Sequence, residues 1–299
     1  MGPLQYTFKY ASGKTLASCD LIGHRLQKET DLSPEKSDSW VIRFTDDACE
    51  IPLATPRWLT GLWQTPTGIT YVTDADRRIY VFPPQGDHTP YTHHTLDASL
   101  SGVWGIDDTF VLTWGLRNNT TILFRWDGKE WREIASPGFL GAIHGSDPNN
   151  LFCVGQRGAI SHWNGSAWRK VKSQTQGLLT SVFVIGKDET WACGPQGDLL
   201  RGTAKKWESI LKHPFEGFNT VAFWHDALWI GASGALGLCV WKNQQLVSIK
   251  PKLHPTSIDT RGSLLLTCDD RVVESKDGTT FRSTTTDYFA EVTKNEPFL

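Results

Sequence analysis

An apolar pattern returns along this chain at nearly constant spacing. An aliphatic or aromatic residue is followed three positions later by another apolar one in LTGLW (59–63), LSGVW (100–104), LGAIH (140–144), LTSVF (179–183) and FNTVA (218–222). The second members, Leu62, Val103, Ile143, Val182 and Val221, lie 41, 40, 39 and 39 residues apart, and Ile258 in PTSID (255–259) follows 37 later. A period near 40 describes supersecondary units that each bury a face only by stacking on a neighbour.

The interior of the unit is legible too. RWDGKEW (125–131) and HWNGSAW (162–168) share a Trp, an Asp/Asn-Gly pair and a second Trp at equal spacing. Asp127-Gly128 and Asn164-Gly165 suit the centre of a type I′ hairpin turn, which needs two positive φ angles. Large aromatics on either side suit cross-strand pairing. The stretch 139–177 shows four strands in full: FLGAIHG, LFCVGQ, GAISHW and AWRKVKS. Four strands every 40 residues predict an all-β fold, a seven-bladed β-propeller of four-stranded blades. A linear β-solenoid has shorter coils and lacks paired hairpins.

The blades are expected at 4–57, 58–98, 99–138, 139–177, 178–217, 218–254 and 255–287, forming one domain over 1–299. Blade 1 is longer and carries an inserted polar loop at 21–39, which includes Arg25 and Lys28. Leu4–Phe8 and Tyr288–Val292 both read as a first strand. The stretch 288–299 is therefore expected as a closing strand or tail that protects an otherwise unpaired edge.

LFCVGQRGAISHWNGSAW (151–168) resembles the VWxVG…HWDGxxW repeats of bacterial propellers, and is loosely similar to photosystem-assembly-factor-like, BNR and kelch-type propellers. The resemblance spans 58–250 and implies a fold, not a function. SKDGTTF (275–281) resembles the Asp-box of sialidase propellers but lacks the residue between Asp277 and Gly278, so it reads as the same hairpin turn.

Composition narrows the setting. A formal charge of −2 and the lack of any Lys/Arg cluster speak against nucleic acid as partner. No apolar run is long enough to span a membrane. No secretory signal is visible at the amino end, and the myristoylation pattern fails at Pro3 and Tyr6. A cytoplasmic monomer without cofactor is the expectation.

Six cysteines lack any CxxC pair, and Cys19, Cys153, Cys193 and Cys268 fall at the second strand of blades 1, 4, 5 and 7. They read as buried packing thiols. Of fourteen tryptophans, Trp63, Trp104, Trp126, Trp131, Trp163, Trp168 and Trp207 keep the repeat phase and read as core. Trp40, Trp58 and Trp224 are out of phase and expected at the surface. His88, His93 and His94 cluster in sequence, but adjacent residues of a strand point to opposite faces, so no metal site is expected. No nucleophile elbow, zincin helix or phosphate-binding glycine loop occurs.

In a propeller the b–c and d–a connections of every blade emerge on one face. The b–c loops read DADRR (74–78), GLRNN (115–119), GQRG (155–158), GPQG (194–197), GASG (231–234) and DDR (269–271). A Gly or Asp framework carries different residues in each blade, as in a surface that presents a mosaic to one partner. Candidate partner-binding residues are Arg77, Arg78, Arg117, Asn118, Arg157, Gln196 and Arg271, with Arg25 and Lys28 from the inserted loop. Arginine suits bidentate capture of carboxylates and interface anchoring. The function expected is non-catalytic: an inhibitor or immunity protein that blocks a toxin or effector. The alternatives are a glycan-binding lectin, needing matched exposed aromatics in several blades, and a sialidase- or glycosidase-like hydrolase, needing a convergent acid and base.

Overall fold

The protein is described by a computed structural model over residues 4–27, 36–45, 49–285 and 290. Every sheet is a four-stranded antiparallel blade of consecutive strands, and there are seven, so the fold is a seven-bladed β-propeller. Blade 1 holds Leu4–Gly13, Cys19–Gln27, Lys36–Phe44 and Cys49–Thr55. Blade 2 holds Leu59–Gln64, Thr70–Asp74, Arg78–Phe82 and Thr92–Thr95. Blade 3 holds Ser99–Asp107, Phe110–Arg117, Thr120–Trp126 and Trp131–Ile134. Blade 4 holds Ala142–Asp147, Asn150–Val154, Ile160–Trp163 and Trp168–Val171. Blade 5 holds Ser181–Gly186, Glu189–Cys193, Asp198–Gly202 and Trp207–Lys212. Blade 6 holds Phe218–Trp224, Ala227–Ala232, Leu238–Lys242 and Gln245–Lys250. Blade 7 holds Ser257–Asp259, Leu264–Thr267, Arg271–Ser275 and Arg282–Thr285. The strands of each blade are called a to d below, in chain order.

Burial explains why these segments are strands. Strand b is buried end to end in blades 2, 4 and 7, and reads as a nearly continuous apolar or Thr-containing run because both of its faces are covered. Strand d of blades 3, 4 and 7 has no fully buried residue and is correspondingly polar.

The residues divide into two compact units: one formed by the chain up to Val103 and from Asp259 onward, the other by Trp104–Ile258. In the first, Ile22, Val41 and Leu53 of blade 1 pack on Leu62, Val72 and Tyr80 of blade 2. Phe8, Leu21 and Trp40 of blade 1 pack with Leu265 and Val272 of blade 7. In the second, Phe152 and Ile160 of blade 4 meet Val182, Leu200 and Trp207 of blade 5, and Trp191 and Leu199 of blade 5 meet Phe218 and Ile230 of blade 6. Each core is thus a seam between successive blades.

Several sequence expectations need correction. Trp40 is 1% exposed and Trp224 6%, so both are interior; Trp58 alone of the three reaches the surface, at 37%. Trp40 escaped the phase argument because blade 1 has longer strands than the others. The expected loop at 21–39 is mostly strand: b and c of blade 1 stay paired out to Gln27↔Lys36. The pairing is obscured by buried polar residues (His24, Arg25, Asp38, Ser39), which break apolar alternation yet hydrogen-bond one another across the strands. Residues 28–35 of that loop, and with them Lys28, lie outside the described residues, as does Tyr288–Val292 apart from Ala290. Strand a of blade 1 is Leu4–Gly13.

The turns differ in type from the expectation. In RWDGKEW only Gly128 has positive φ, +92°, and in HWNGSAW only Gly165, +93°. Trp126 pairs with Trp131 and Trp163 with Trp168, so each loop has four residues rather than two. The Asp127 carboxylate accepts the amides of Lys129 and Glu130, and the Asn164 side-chain oxygen those of Ser166 and Ala167. Asp277 does the same for Thr279 and Thr280, which makes SKDGTTF one more such turn. Paired positive φ angles occur instead at Asn118-Asn119, His225-Asp226 and Asn243-Gln244, each between directly paired strand ends.

Candidate functional site

The b–c and d–a connections lie together, braced by backbone hydrogen bonds. In the 104–258 unit Gly158 N donates to Gly177 O (2.6 Å), Leu179 N to Gly155 O (3.0 Å), His213 N to Gly197 O (2.9 Å) and Ser233 N to Gly217 O (2.9 Å). The recurrent glycines of the b–c loops follow from this closeness. A Cβ on Gly194 would stand 1.9 Å from Leu178 O, so no side chain fits where one connection crosses the next. The backbone forms a rigid framework, and the residues between the glycines project from it.

In this unit Arg117 ends strand b of blade 3 and forms a bidentate pair with Glu133, at 3.0 and 3.1 Å. Asn118 is exposed in the two-residue turn that follows. Arg157 is exposed, with no ion pair among the described residues, and holds φ at +54°. That left-handed backbone is unfavourable for a side chain with a Cβ and is found where surrounding structure enforces it. Gln196 accepts Leu178 N through its side-chain oxygen at 2.9 Å while remaining exposed.

In the other unit Arg77 is exposed with φ +75° and stands 3.4 Å from Asp97. Arg78 opens strand c of blade 2, half-buried. Arg271 opens strand c of blade 7 and pairs with Asp270 at 2.5 Å. Asp74, which opens the DADRR stretch, is buried and structural. It accepts Asp76 N, Arg78 N and the Tyr80 hydroxyl, and burial together with the Asp74 charge pushes that phenol up to about 12. Arg25 is not a surface residue at all. It is 1% exposed, donates to Asp38 at 2.5 Å and lies 5.1 Å over the Trp40 ring.

Sequence reasoning passed over the apolar members of the face. Phe139 and Phe215 sit in the d–a connections of the 104–258 unit, 49% and 89% exposed, and Leu116 beside the Asn118 turn is 46% exposed. Phe139, expected to begin strand a in FLGAIHG, precedes that strand, which starts at Ala142. The signal lies in SPGFLG (136–141) and HPFEG (213–217), an aromatic placed inside a Pro/Gly connection. Neither pairs with a strand, so neither has a core position to fill.

Five of the six cysteines are buried and all are free thiols. Burial pushes the Cys153 thiol up to about 12, and burial with the nearby Glu216 charge does the same for Cys239. Groups of this kind stay protonated at neutral pH and are poor nucleophiles. Among the described residues no helix is long and apolar enough to cross a membrane.

The structure therefore defines a β-propeller with a braced loop face bearing exposed arginine, amide and aromatic side chains. No family model matches the chain. It is 29% identical over 123 residues to the immune protein Tsi7 of Pseudomonas aeruginosa, covering 38% of this chain and 40% of that protein's length. Solved structures of similar fold include Sqt1 from Chaetomium thermophilum, with TM-score 0.62, 12% identity, and 91% and 82% of the two chains covered. A catalytically inactive virginiamycin B lyase from Staphylococcus aureus, solved with quinupristin, gives TM-score 0.60, 14% identity, and 95% and 99% coverage. YCF48 bound to a D1 peptide gives 0.55, 15%, and 76% and 80%. At these identities the structural likeness concerns the fold.

Proposed function

We propose that this chain is a non-catalytic binding protein of the immunity type, which docks a toxin or effector protein on its b–c/d–a face and blocks it. The observation that carries the reading is the sequence similarity to an immune protein, joined to a fold in which YCF48 was solved with a peptide bound. The loop face supports it physically. Exposed Arg157 and the Arg117–Glu133 pair offer charge-assisted contacts on a framework that needs little ordering on binding. The setting proposed is the cytoplasm of the cell that makes the toxin.

The test is co-expression with toxin candidates encoded beside the gene, read by growth and by co-purification. Growth rescue with a stoichiometric complex is expected. Rescue by turnover, with the toxin or a small molecule chemically altered and no complex formed, would replace the reading with an enzymatic one. Within the complex, Arg157→Gly removes the guanidinium while suiting a left-handed backbone, and Arg117→Ala releases Glu133. Together they are expected to weaken binding by about 2 kcal/mol or more with little loss of thermal stability. Undiminished binding by this double variant would move the interface elsewhere.

A further inference from the structure

The 104–258 unit separates its carboxylates, though not its lysines, by face. On its a–b and c–d turns stand acids such as Asp107, Asp127, Asp147 and Asp188, the first three of them capping turn amides. The connections of the other face (118–119, 135–141, 155–159, 172–180, 194–197, 213–217, 233–237 and 251–256) hold one carboxylate, Glu216, and it is buried. Arg157, Lys172 and Lys252 on those connections are exposed. Hydrogen bonds make five of these connections, 155–159, 172–180, 194–197, 213–217 and 233–237, one continuous arc: Gly158 to Gly177, Leu178 to Gln196, His213 to Gly197, and Gly234 to Glu216.

Phe215 stands on this arc with 89% of its surface exposed, on a loop that is fastened at both ends. The amides of Phe215 and Glu216 donate to His213 Nδ1 at 3.2 and 2.9 Å. The Glu216 carboxylate in turn accepts Gly234 N at 2.9 Å and Leu236 N at 3.2 Å. An aromatic ring held out on a rigid loop gives up little entropy when a partner covers it, which is the usual character of an interface hot spot.

We propose that Phe215 is the anchor of the binding face and that its partner is a protein surface with an apolar pocket rimmed by Asp and Glu. This deepens the binding reading above and rests on it. Charge complementarity selects the occupant: the hydrogen-bonded loops that flank Phe215 expose Arg157 and Lys172 while their one carboxylate, Glu216, is buried, which favours an acidic rim and penalises a basic one.

The test uses random 12-residue peptides displayed on phage, selected on the intact protein and counter-selected on Phe215→Ala. Recovered peptides, and a single-stranded oligothymidine, are then titrated against wild type, Phe215→Ala and Phe215→Leu. Expected are peptides rich in Asp and Glu around a bulky apolar residue, with salt-sensitive binding. Phe215→Ala should weaken that binding about 30-fold at unchanged melting temperature, and Phe215→Leu should retain most of it. Peptides without acidic enrichment, none that depend on Phe215, or tighter binding of the oligothymidine would overturn the proposal. The two readings separate cleanly. Phe215-dependent acidic peptides without any toxin complex would sink the immunity role alone, and a toxin complex indifferent to Phe215→Ala would sink this proposal alone.

Discussion

His24 shows how much a single buried side chain decides. It is fully buried in blade 1, with Nδ1 2.8 Å from Ser39 Oγ, no partner at Nε2 among the described residues, and its ring stacked 3.9 Å from Trp58. Burial, with a smaller push from the Lys9 charge, lowers its pKa to about 3. An unfolded histidine protonates near 6.5, so between those values the unfolded chain takes up a proton that the folded one refuses. Stability is therefore whole above about 6.5 and is lost as pH falls toward 3. From pH 7 to pH 5 this group alone is expected to cost about 2 kcal/mol. Urea unfolding at the two pH values checks it: His24→Gln should show a correspondingly smaller drop, and an equal drop in both proteins would show that His24 is not the cause. Arg25 and Asp38 nearby follow the same logic of interior polarity. A buried ion pair adds little net stability, but either partner left alone would be costly.

At the scale of strands and turns, loops that cross at glycines set the geometry of the face. Gly197 has φ +81°, and a Cβ there would lie 2.3 Å from His213 O and 2.6 Å from Glu216 O. Gly197→Ala is therefore expected to cost about 1–3 kcal/mol and to shift the Phe215 loop. Thermal unfolding reads the first, and altered protection of the 213–217 amides in hydrogen exchange reads the second. A variant as stable and as protected as wild type would mean that the loops yield without strain. The hairpins make a related point about chemistry over pattern. Asp127, Asn164 and Asp277 hold their turns with a side-chain oxygen and need one positive φ at the following glycine, whereas Asn118-Asn119 supplies two positive φ angles without glycine.

Across the whole molecule, the chain's first and last described blades meet within one unit. Phe8 N donates to Asp269 O, Ala11 N to Thr267 Oγ1, and Leu16 N to the Glu274 carboxylate. The Asp259 carboxylate takes Ser12 Oγ at 3.0 Å and Gly13 N at 3.2 Å, and Arg261 beside it helps keep its pKa below the usual range despite burial. Asp259→Ala would remove the acceptor of Ser12 Oγ and Gly13 N and the ion-pair partner of Arg261. A loss of about 2–4 kcal/mol is expected in denaturant unfolding, because two buried donors and the exposed Arg261 lose one shared acceptor. A loss below about 1 kcal/mol would show that the apolar seam of Phe8, Leu21, Leu265 and Val272 suffices for closure.

The repeat, the four-strand unit and the blade count are legible along the chain, because apolar periodicity and Trp pairing across hairpins are local and recur in phase. The sequence also placed Arg157 and Gln196 in b–c loops, since loop position follows from strand order, whereas Arg117, expected in the loop 115–119, closes strand b and only 118–119 form the turn. Only the tertiary structure decided that Trp40 and Arg25 are interior and that Phe139 and Phe215 are not. Those outcomes depend on which chain segments cover a residue from a distance: blade 7 over Trp40, Asp38 across the sheet from Arg25, and nothing over Phe215. The sorting of carboxylates to one face of the 104–258 unit is likewise invisible along the chain, because only the a–b–c–d path sends successive turns to opposite sides.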